Sequence, residues 1–288
     1  MNKNHKGIVL AILAAALYAI STPLSKMLLT DLPPTILAAC LYLGAGVGMS
    51  LVSLVQSVAG KKQVESRLDK GDAPYVIGMI ILDVAAPILL LFGLRAATAE
   101  NVSLLNNFEI VATALIALLI FKEKISKRLW FAIGLITLAC GILSFEGGAA
   151  MEFSFGSLLV ILAASCWGLE NNCTRKLSEK DPMQIVVVKG LCSGGVSLVI
   201  GLASGEGLEN FWMIFLAMAL GFVAYGLSIF TYVYAQRFIG AARTSAYYAI
   251  APFIGALLSL IIFHKLPGIT FILAAIVMSV GSYLAAKD

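Results

Sequence analysis

Three carboxylic acids lie inside long apolar stretches of this chain and are the residues most able to do chemistry: Asp83, Glu109 and Glu170. Ionised and unpaired at the centre of a bilayer, each would cost about 2.5–3.5 kcal/mol on insertion scales. An acid in such a stretch therefore faces protein or water, where it commonly marks a binding site or an ion pathway. The alternative for each acid is a structural carboxylate that is hydrogen-bonded to a neighbouring helix.

Glu109 lies near the centre of the apolar stretch 99–121 and shares a helical face with other polar side chains. Ser103, Asn106 and Thr113 recur at intervals of three and four residues around it, which places them on one side of a helix. A polar stripe of this kind does not face lipid. We expect Asn106 and Glu109 to line a site for a solute or an ion.

Two further polar faces combine aromatic rings with hydroxyl, amide and carboxyl groups. The first consists of Tyr18, Ser21, Thr22 and Ser25, and the second of Trp167, Glu170, Asn171 and Thr174. Aromatic rings beside carboxylates suit an organic cation, which is attracted to the ring face. Tyr225 and Tyr248 occupy the places in the second half that correspond to Asp83 and Asn106, so we add both to the candidate site. The alternative is that these rings are ordinary core residues.

Each charged candidate has a local alternative. Lys189 lies six residues inside an apolar stretch, where it either extends to the membrane surface or neutralises one acid or a carboxylate of the solute. Asp83 precedes Pro87 by four residues and could satisfy backbone groups that a proline kink frees. Glu170 could pair with Arg175 or Lys176. The sequence alone leaves these alternatives open.

The composition excludes a soluble globular protein. Of the 288 residues, 60% are hydrophobic and 12% are charged, whereas soluble proteins have about 25% charged residues. The five cysteines lie singly in apolar stretches, and both histidines lie near the ends of stretches. These patterns argue against a disulfide framework or a metal site. We expect no metal, no cofactor and no nucleic-acid partner.

Ten apolar stretches are each long enough to cross a bilayer, which takes about 20 residues. They are 7–29, 36–58, 73–94, 99–121, 129–145, 156–174, 183–203, 211–235, 243–263 and 268–286. With the N-terminus inside, sixteen of the twenty Lys and Arg residues lie in cytoplasmic segments. The exceptions are Arg95 and Lys265 outside, and Lys26 and Lys189 within stretches. The positive-inside rule therefore predicts that both termini are cytoplasmic.

The two halves of the chain resemble each other. Residues 7–28 align without gaps with 156–177 and share an Ile-Leu-Ala-Ala run, and the fourth and ninth stretches align through Ser103 and Ser245. In the second stretches of the halves, glycines spaced four apart align and would allow helices to approach closely: Gly44 and Gly48 with Gly190 and Gly194. Because each half has five stretches, an odd number, the halves insert in opposite orientations. The sequence thus predicts an all-α membrane protein of ten transmembrane helices in two inverted five-helix repeats, 1–150 and 151–288.

This organisation resembles that of the EamA-type drug/metabolite transporters. The resemblance covers nearly the whole chain and rests on the two repeats and three short motifs: Trp167-Gly168, Pro252 followed by small residues, and Phe121-Lys122-Glu123. It implies an inner-membrane exporter of amino acids, metabolites or drugs.

The sequence departs from the family pattern in two places. Tyr18-Ala19 stands where Trp-Gly would be typical, and Ile110 stands where the fourth stretch would have a proline aligned with Pro252. We therefore expect the ninth stretch to kink at Pro252 and the fourth to stay straighter.

These features favour an inner-membrane secondary transporter that exports a small amine-bearing metabolite, amino acid or drug by alternating access at a midplane cavity. Three membrane acids against one clear membrane base, Lys189, favour a cationic or zwitterionic amine. A proton- or ion-coupled uptake carrier is the alternative. An enzyme or a channel fits less well, because paired histidines, GxSxG and HExxH are absent from the sequence. The expected partners are the solute and membrane lipid, while proton coupling and the oligomeric state stay open.

Overall fold

A computed structural model describes residues 3–59, 66–120, 122, 125–146, 152–177, 180–239, 244 and 247–287. Within these ranges the first part of the chain contains seven helices and one 3-10 turn. They are α1 (Lys3–Ala19), α2 (Ser21–Leu28), α3 (Pro34–Val58), the 3-10 turn Lys70–Asp72, α4 (Ala73–Ala96), α5 (Ala99–Leu105), α6 (Phe108–Leu119) and α7 (Lys127–Ser144).

The second part is also helical in its described residues. Two short antiparallel strands precede it, β1 (Phe145–Glu146) and β2 (Glu152–Phe153). The helices are α8 (Phe155–Lys176), α9 (Pro182–Ala203), α10 (Phe211–Gly221), the π-helical segment Phe222–Leu227, α11 (Ser228–Ile239), α12 (Ala251–Ile262) and α13 (Ile269–Ala286). Ser245, which the sequence aligns with Ser103, lies outside the described residues.

Several helices begin where the sequence supplies a proline or a short polar side chain. Pro34 and Pro182 stand in the first turns of α3 and α9, where a helix makes no use of the missing N–H. The side chain of Asp181 accepts a hydrogen bond from the backbone two residues later, at 2.9 Å. Ser126 and Asn210 cap α7 and α10 in the same way. These caps satisfy N–H groups that have no partner inside the helix.

Eight helical segments of the described chain are long and apolar enough to cross a membrane. They are His5–Leu28, Pro34–Val58, Lys70–Ala96, Ala99–Leu119, Lys127–Ser144, Pro182–Ala203, Phe211–Ala235 and Ile269–Ala286. Each matches one of the ten predicted stretches. The other two predicted stretches correspond to α8, whose second half is polar, and to α12, a shorter apolar helix.

The fourth span is divided at Asn106 and Asn107, between α5 and α6. Here the backbone hydrogen bonds reach back three residues, from Glu109 N to Asn106 O at 3.1 Å and from Ile110 N to Asn107 O at 3.0 Å. The Asn107 side chain also donates to Leu104 O at 3.1 Å, and such local bonds compete with a regular helix. Two asparagines therefore interrupt the regular helix of this span without a proline, while the expectation that it is straighter than the ninth stretch stays a prediction.

Two prolines accompany further interruptions. The first span is divided at Ile20, and Pro23 leaves the carbonyl of Ala19 without its usual helical donor. In the ninth stretch, α12 begins at Ala251 with Pro252 in its first turn, directly after a turn at 249–250. The interruption expected at Pro252 is confirmed.

The third and eighth spans are irregular at corresponding places. Pro87 lies inside α4 and removes the N–H that would bond to the Asp83 carbonyl. Tyr225, which corresponds to Asp83 in the other half, lies in the π-helical segment Phe222–Leu227. Single π turns inside helices often occur at functional sites.

Glycines bring α3 and α9 into backbone contact. A methyl group added at Gly190 would lie 2.4 Å from the nitrogen of Gly46, and one at Gly194 would lie 2.6 Å from the nitrogen of Leu43. Gly44 faces α10 instead. The close approach expected from the glycine spacing is present, and it joins a helix of the first half to one of the second.

The other helix contacts form reciprocal pairs. The contact of α4 with α8 corresponds to that of α11 with α1. The contact of α6 with α8 corresponds to that of α12 with α1. The contact of α3 with α10 corresponds to that of α9 with α4. Exchanging the two halves converts one member of each pair into the other. Helices α7 and α13 pack together, as do α5 and α12.

At one end of the bundle, a loop of the first half is tied to a loop of the second. Lys180 Nζ lies 2.8 Å from Asp69 Oδ2 and 2.9 Å from Asp72 Oδ2, and Leu68 N donates to Gln184 Oε1 at 2.9 Å. The hydrogen bond from Lys180 holds the pKa of the Asp69 carboxyl below its usual value, and hydrogen bonding to Asp69 and Asp72 raises the pKa of Lys180.

Contacts at the other end also join the halves. Glu206 Oε2 accepts a hydrogen bond from Ile36 N at 2.9 Å, so a loop of the second half caps the start of α3. Lys265 Nζ lies 3.6 Å from Glu100 Oε1. Each of these contacts joins segments that the charge pattern assigns to the same side of the membrane.

Candidate functional site

Lys189 lies between two of the membrane acids. Its Nζ atom is 3.1 Å from Asp83 Oδ2 and 3.1 Å from Glu170 Oε1. The Asp83 side chain is fully buried, and the Lys189 side chain is 12% exposed. The three residues come from α4, α8 and α9, so one ammonium group links both halves of the chain. We call Asp83, Glu170 and Lys189 the ion triad.

Two hydroxyl groups complete the ion triad. Tyr42 in α3 donates to Asp83 Oδ1 at 2.9 Å, and the hydroxyl of Thr174 donates to Glu170 Oε1. Tyr42 also lies beside Trp167. Neutral donors stabilise buried carboxylates without cancelling their charge.

The ion triad gives partners to two charged candidates, Lys189 and Asp83, whose local alternatives the sequence left open. Lys189 is the counter-ion of two acids, and the Asp83 side chain binds Tyr42 and Lys189. The partners that the structure gives Glu170 are Lys189 and Thr174, while the Arg175 side chain lies outside the described set. The pairing of Glu170 with Arg175 or Lys176 stays a prediction.

Glu109 lies beside the ion triad with a neutral partner. Its Oε1 atom accepts a hydrogen bond from Asn171 Nδ2 at 2.5 Å, and the same amide lies 3.5 Å from Thr113 Oγ1. A methyl group added at Gly168 would lie 2.6 Å from Ala112 Cβ, so α8 approaches α6 closely here. Glu170 precedes Asn171 directly in α8, and Asn171 binds Glu109. The same turn of α8 therefore carries one acid, Glu170, and the amide that holds another, Glu109.

Five tyrosines form a connected group beside these acids. The ring centroid of Tyr18 is 5.8 Å from that of Tyr225 and 5.9 Å from that of Tyr248. Tyr225 lies 5.3 Å from Tyr42, and Tyr232 lies 4.9 Å from Tyr248. The rings connect α1, α3, α11 and the π-helical segment, and through Tyr42 they reach Asp83.

The remaining sequence candidate, Asn106, is not joined to this network. Its side-chain oxygen is buried and has no hydrogen-bond partner within the part of the chain that the structure describes. The network therefore contains nine of the ten candidates from the sequence: Tyr18, Asp83, Glu109, Trp167, Glu170, Asn171, Lys189, Tyr225 and Tyr248.

The sequence reasoning missed Tyr42 and Tyr232. Tyr42 is the only aromatic residue of the stretch 36–58, and that was the available signal. In the described residues no group of three or more His, Cys, Asp or Glu side chains is arranged to hold a metal ion. The arrangement offers three carboxylates, one ammonium group and aromatic faces, which together can bind and orient a charged organic molecule.

Comparisons with known proteins agree with this architecture. The chain is 29% identical over 296 residues to an uncharacterised transporter of Methanothermobacter thermautotrophicus, covering 96% of this chain and 85% of that one. It is 24% identical to the uncharacterised transporter YyaM of Bacillus subtilis, covering 88% and 86%.

A solved crystal structure shares the fold, with a TM-score of 0.71 at 15% identity over 97% of this chain and 95% of that one. The model of the EamA-like transporter family matches twice, at residues 5–145 and 154–286. Together with the eight apolar helices, these two matches identify the chain as a multi-pass membrane protein that belongs to the EamA-like transporter family.

Proposed function

We propose that this protein is a secondary transporter of the inner membrane that exports a small amine-bearing solute, such as an amino acid, a metabolite or a drug. The observation that supports the proposal is the convergence of Asp83, Glu109 and Glu170 with a single base and a group of tyrosines. We infer that these side chains line one cavity near the membrane midplane, and that the protein performs no covalent chemistry.

The charge of this region supports an amine as the cargo. Asp83 and Glu170 share the one positive charge of Lys189, and Glu109 has a neutral partner in Asn171. With all groups ionised, the region carries two net negative charges. At an effective dielectric constant of about 20, an ammonium group close to one carboxylate gains a few kcal/mol. An anionic solute would be repelled by the same charges.

We further propose that the chain crosses the membrane ten times, in two inverted repeats at 1–150 and 151–288. The eight apolar helices would be joined by α8, which at 22 residues is about 33 Å long, and by the ninth stretch, which ends in α12. The reciprocal helix contacts support the repeat, because an exchange of the halves preserves them. The distribution of Lys and Arg supports cytoplasmic positions for both termini.

Alternating access would use the ties at the two ends of the bundle. The Lys180 ties to Asp69 and Asp72 at one end, and the Glu206 tie to Ile36 at the other, each join the two halves. We propose that opening one end breaks its tie while the opposite tie holds. The solute then leaves on the side that has opened.

Flux measurements with the purified protein in liposomes test the proposed function. The protein should show saturable transport of labelled amines or amino acids, and excess unlabelled amine should reduce it. Saturable transport restricted to anionic or neutral solutes would contradict the amine assignment. If an imposed proton gradient drives net accumulation of the solute in the direction of uptake instead of export, this result would favour the alternative, a proton-coupled uptake carrier.

A further inference from the structure

We propose that Asp83 and Glu170 form a binding site for an alkylammonium ion, which Lys189 fills from within the chain, and that the ammonium group of the cargo competes with Lys189 for it. The first statement rests on the geometry of the ion triad. The second also rests on the proposed function.

The two acids surround a single ammonium group. Lys189 Nζ is the same distance, 3.1 Å, from one oxygen of each acid. The hydroxyls of Tyr42 and Thr174 bind the same two carboxylates. An ammonium group has three N–H donors, and this arrangement offers it two carboxylates from the neighbouring helices α4 and α8. The position thus has the composition of a small-cation site whose occupant is attached to the protein.

A free alkylammonium ion can take the place of the Lys189 ammonium group. Lysine reaches the acids through a flexible four-carbon stem and binds as a point charge, unlike the rigid fork of arginine. One cation between two carboxylates leaves a net negative charge, so the site still attracts a second ammonium ion. Glu109, held by Asn171 next to Glu170, provides a carboxylate at which that second ion can bind first.

A substitution can create the empty site. Lys189→Ala removes three methylene groups and the ammonium group, which together correspond to n-propylammonium. Lys189→Met removes the charge but keeps a stem of similar length, so the same space stays filled. The two variants therefore share the loss of charge and differ in whether a free amine fits.

Thermal unfolding of the purified variants provides the readout. We expect both variants to unfold at lower temperature than the wild type, because each leaves buried acids without their cation. Propylammonium chloride at a hundred times its Kd should raise the unfolding temperature of Lys189→Ala by about 5 °C over sodium chloride of equal concentration. It should leave Lys189→Met unchanged. It should raise the unfolding temperature of the wild type less than that of Lys189→Ala, because in the wild type the amine competes with Lys189 for the same two acids. The double variant Lys189→Ala with Glu170→Gln should lose most of the rise.

Lys180 offers a matched control at the surface. It also lies between two carboxylates, at 2.8 and 2.9 Å, but the Asp69 side chain is 65% exposed. Lys180→Ala deletes the same fragment where water competes for Asp69, while the Asp72 side chain is 14% exposed, so propylammonium should stabilise it much less than it stabilises Lys189→Ala. A rise of similar size in Lys180→Ala, or none in Lys189→Ala, would overturn the proposal.

If Lys189→Ala is not recovered folded in sodium chloride, it is purified in propylammonium chloride instead. Folded protein only with the amine supports the site, and equal loss in both salts contradicts it. If the amine stabilises Lys189→Ala but the wild type transports no amine, the site stands and the proposed function fails. If the wild type transports amines but the variant is not stabilised, the proposed function stands and this inference fails.

Discussion

Replacing Gly190 by alanine should separate the two halves of the protein where the backbones of α3 and α9 touch. The added methyl group would lie 2.4 Å from the nitrogen of Gly46 and 2.8 Å from the carbonyl oxygen of Tyr42. Both are backbone atoms, which cannot rotate away. Ordinary carbon contacts begin at about 3.5 Å, so α3 and α9 would have to move apart by about 1 Å.

A displacement of this size has two measurable effects. Overpacking of a close contact costs about 1–3 kcal/mol, which in a chain of this length lowers the unfolding temperature by roughly 2–6 °C. The shift also moves Tyr42 away from Asp83, to which it donates a hydrogen bond at 2.9 Å. The transport rate of the folded protein should therefore fall by more than the loss of stability alone would cause. Thermal unfolding and flux in liposomes measure the two effects separately.

Gly195 provides the control on the same helix. A methyl group added there meets nothing within 4 Å, and alanine favours a helix over glycine by up to about 1 kcal/mol. Gly195→Ala should therefore be neutral or slightly stabilising and should transport normally. Equal behaviour of the two alanine variants would refute the packing argument.

Three further outcomes follow from the ends of the bundle. Glu206→Ala removes the acceptor of Ile36 N and should cost about 0.5–2 kcal/mol, the usual value of a helix cap, measured by thermal unfolding. The lowered pKa of Asp69 means that its tie to Lys180 is complete above about pH 4, the ordinary value, and is lost as the pH falls through the folded pKa. Hydrogen exchange should show this loosening at low pH. Lys180→Ala should reduce the dependence, and the hydrogen bond from Gly71 N to Asp69 should keep part of it. A reporter enzyme that works only in the cytoplasm should be active when it is fused after Lys287. Activity of a reporter that works only in the periplasm would contradict the cytoplasmic position of the C-terminus.

The sequence predicted most of the helices, because hydrophobic length and charge asymmetry are strong signals in a membrane protein. It did not predict the break of the fourth span, since only proline was considered as an interrupter. The Asn106-Asn107 pair provides side chains that compete for the backbone, and proline is not needed for that.

The site was predicted where repeat-related faces carried unusual polar residues. Glu170 and Asn171 were grouped with Glu109 on this basis, and Asn171 donates a hydrogen bond to Glu109. That these residues line one cavity stays a prediction. The pairing of Lys189 with two acids could not be predicted, because it depends on how α4, α8 and α9 pack. Tyr42 was missed for a related reason, as a single aromatic residue in an apolar stretch gives no periodic signal.

The amine assignment is tested most directly by transport through Glu109→Gln, with Glu209→Gln as a control in an exposed loop of the second half. Glutamine keeps an acceptor for Asn171 but removes the charge that would attract an ammonium group. A hydrogen bond to a charged group contributes about 1.5–3 kcal/mol, so amine flux should fall at least about tenfold while the protein stays folded. Flux through Glu209→Gln should be unchanged. Wild-type flux through Glu109→Gln across the range of about pH 5 to 8 would show that this carboxylate is structural, and the account of amine recognition would then be wrong.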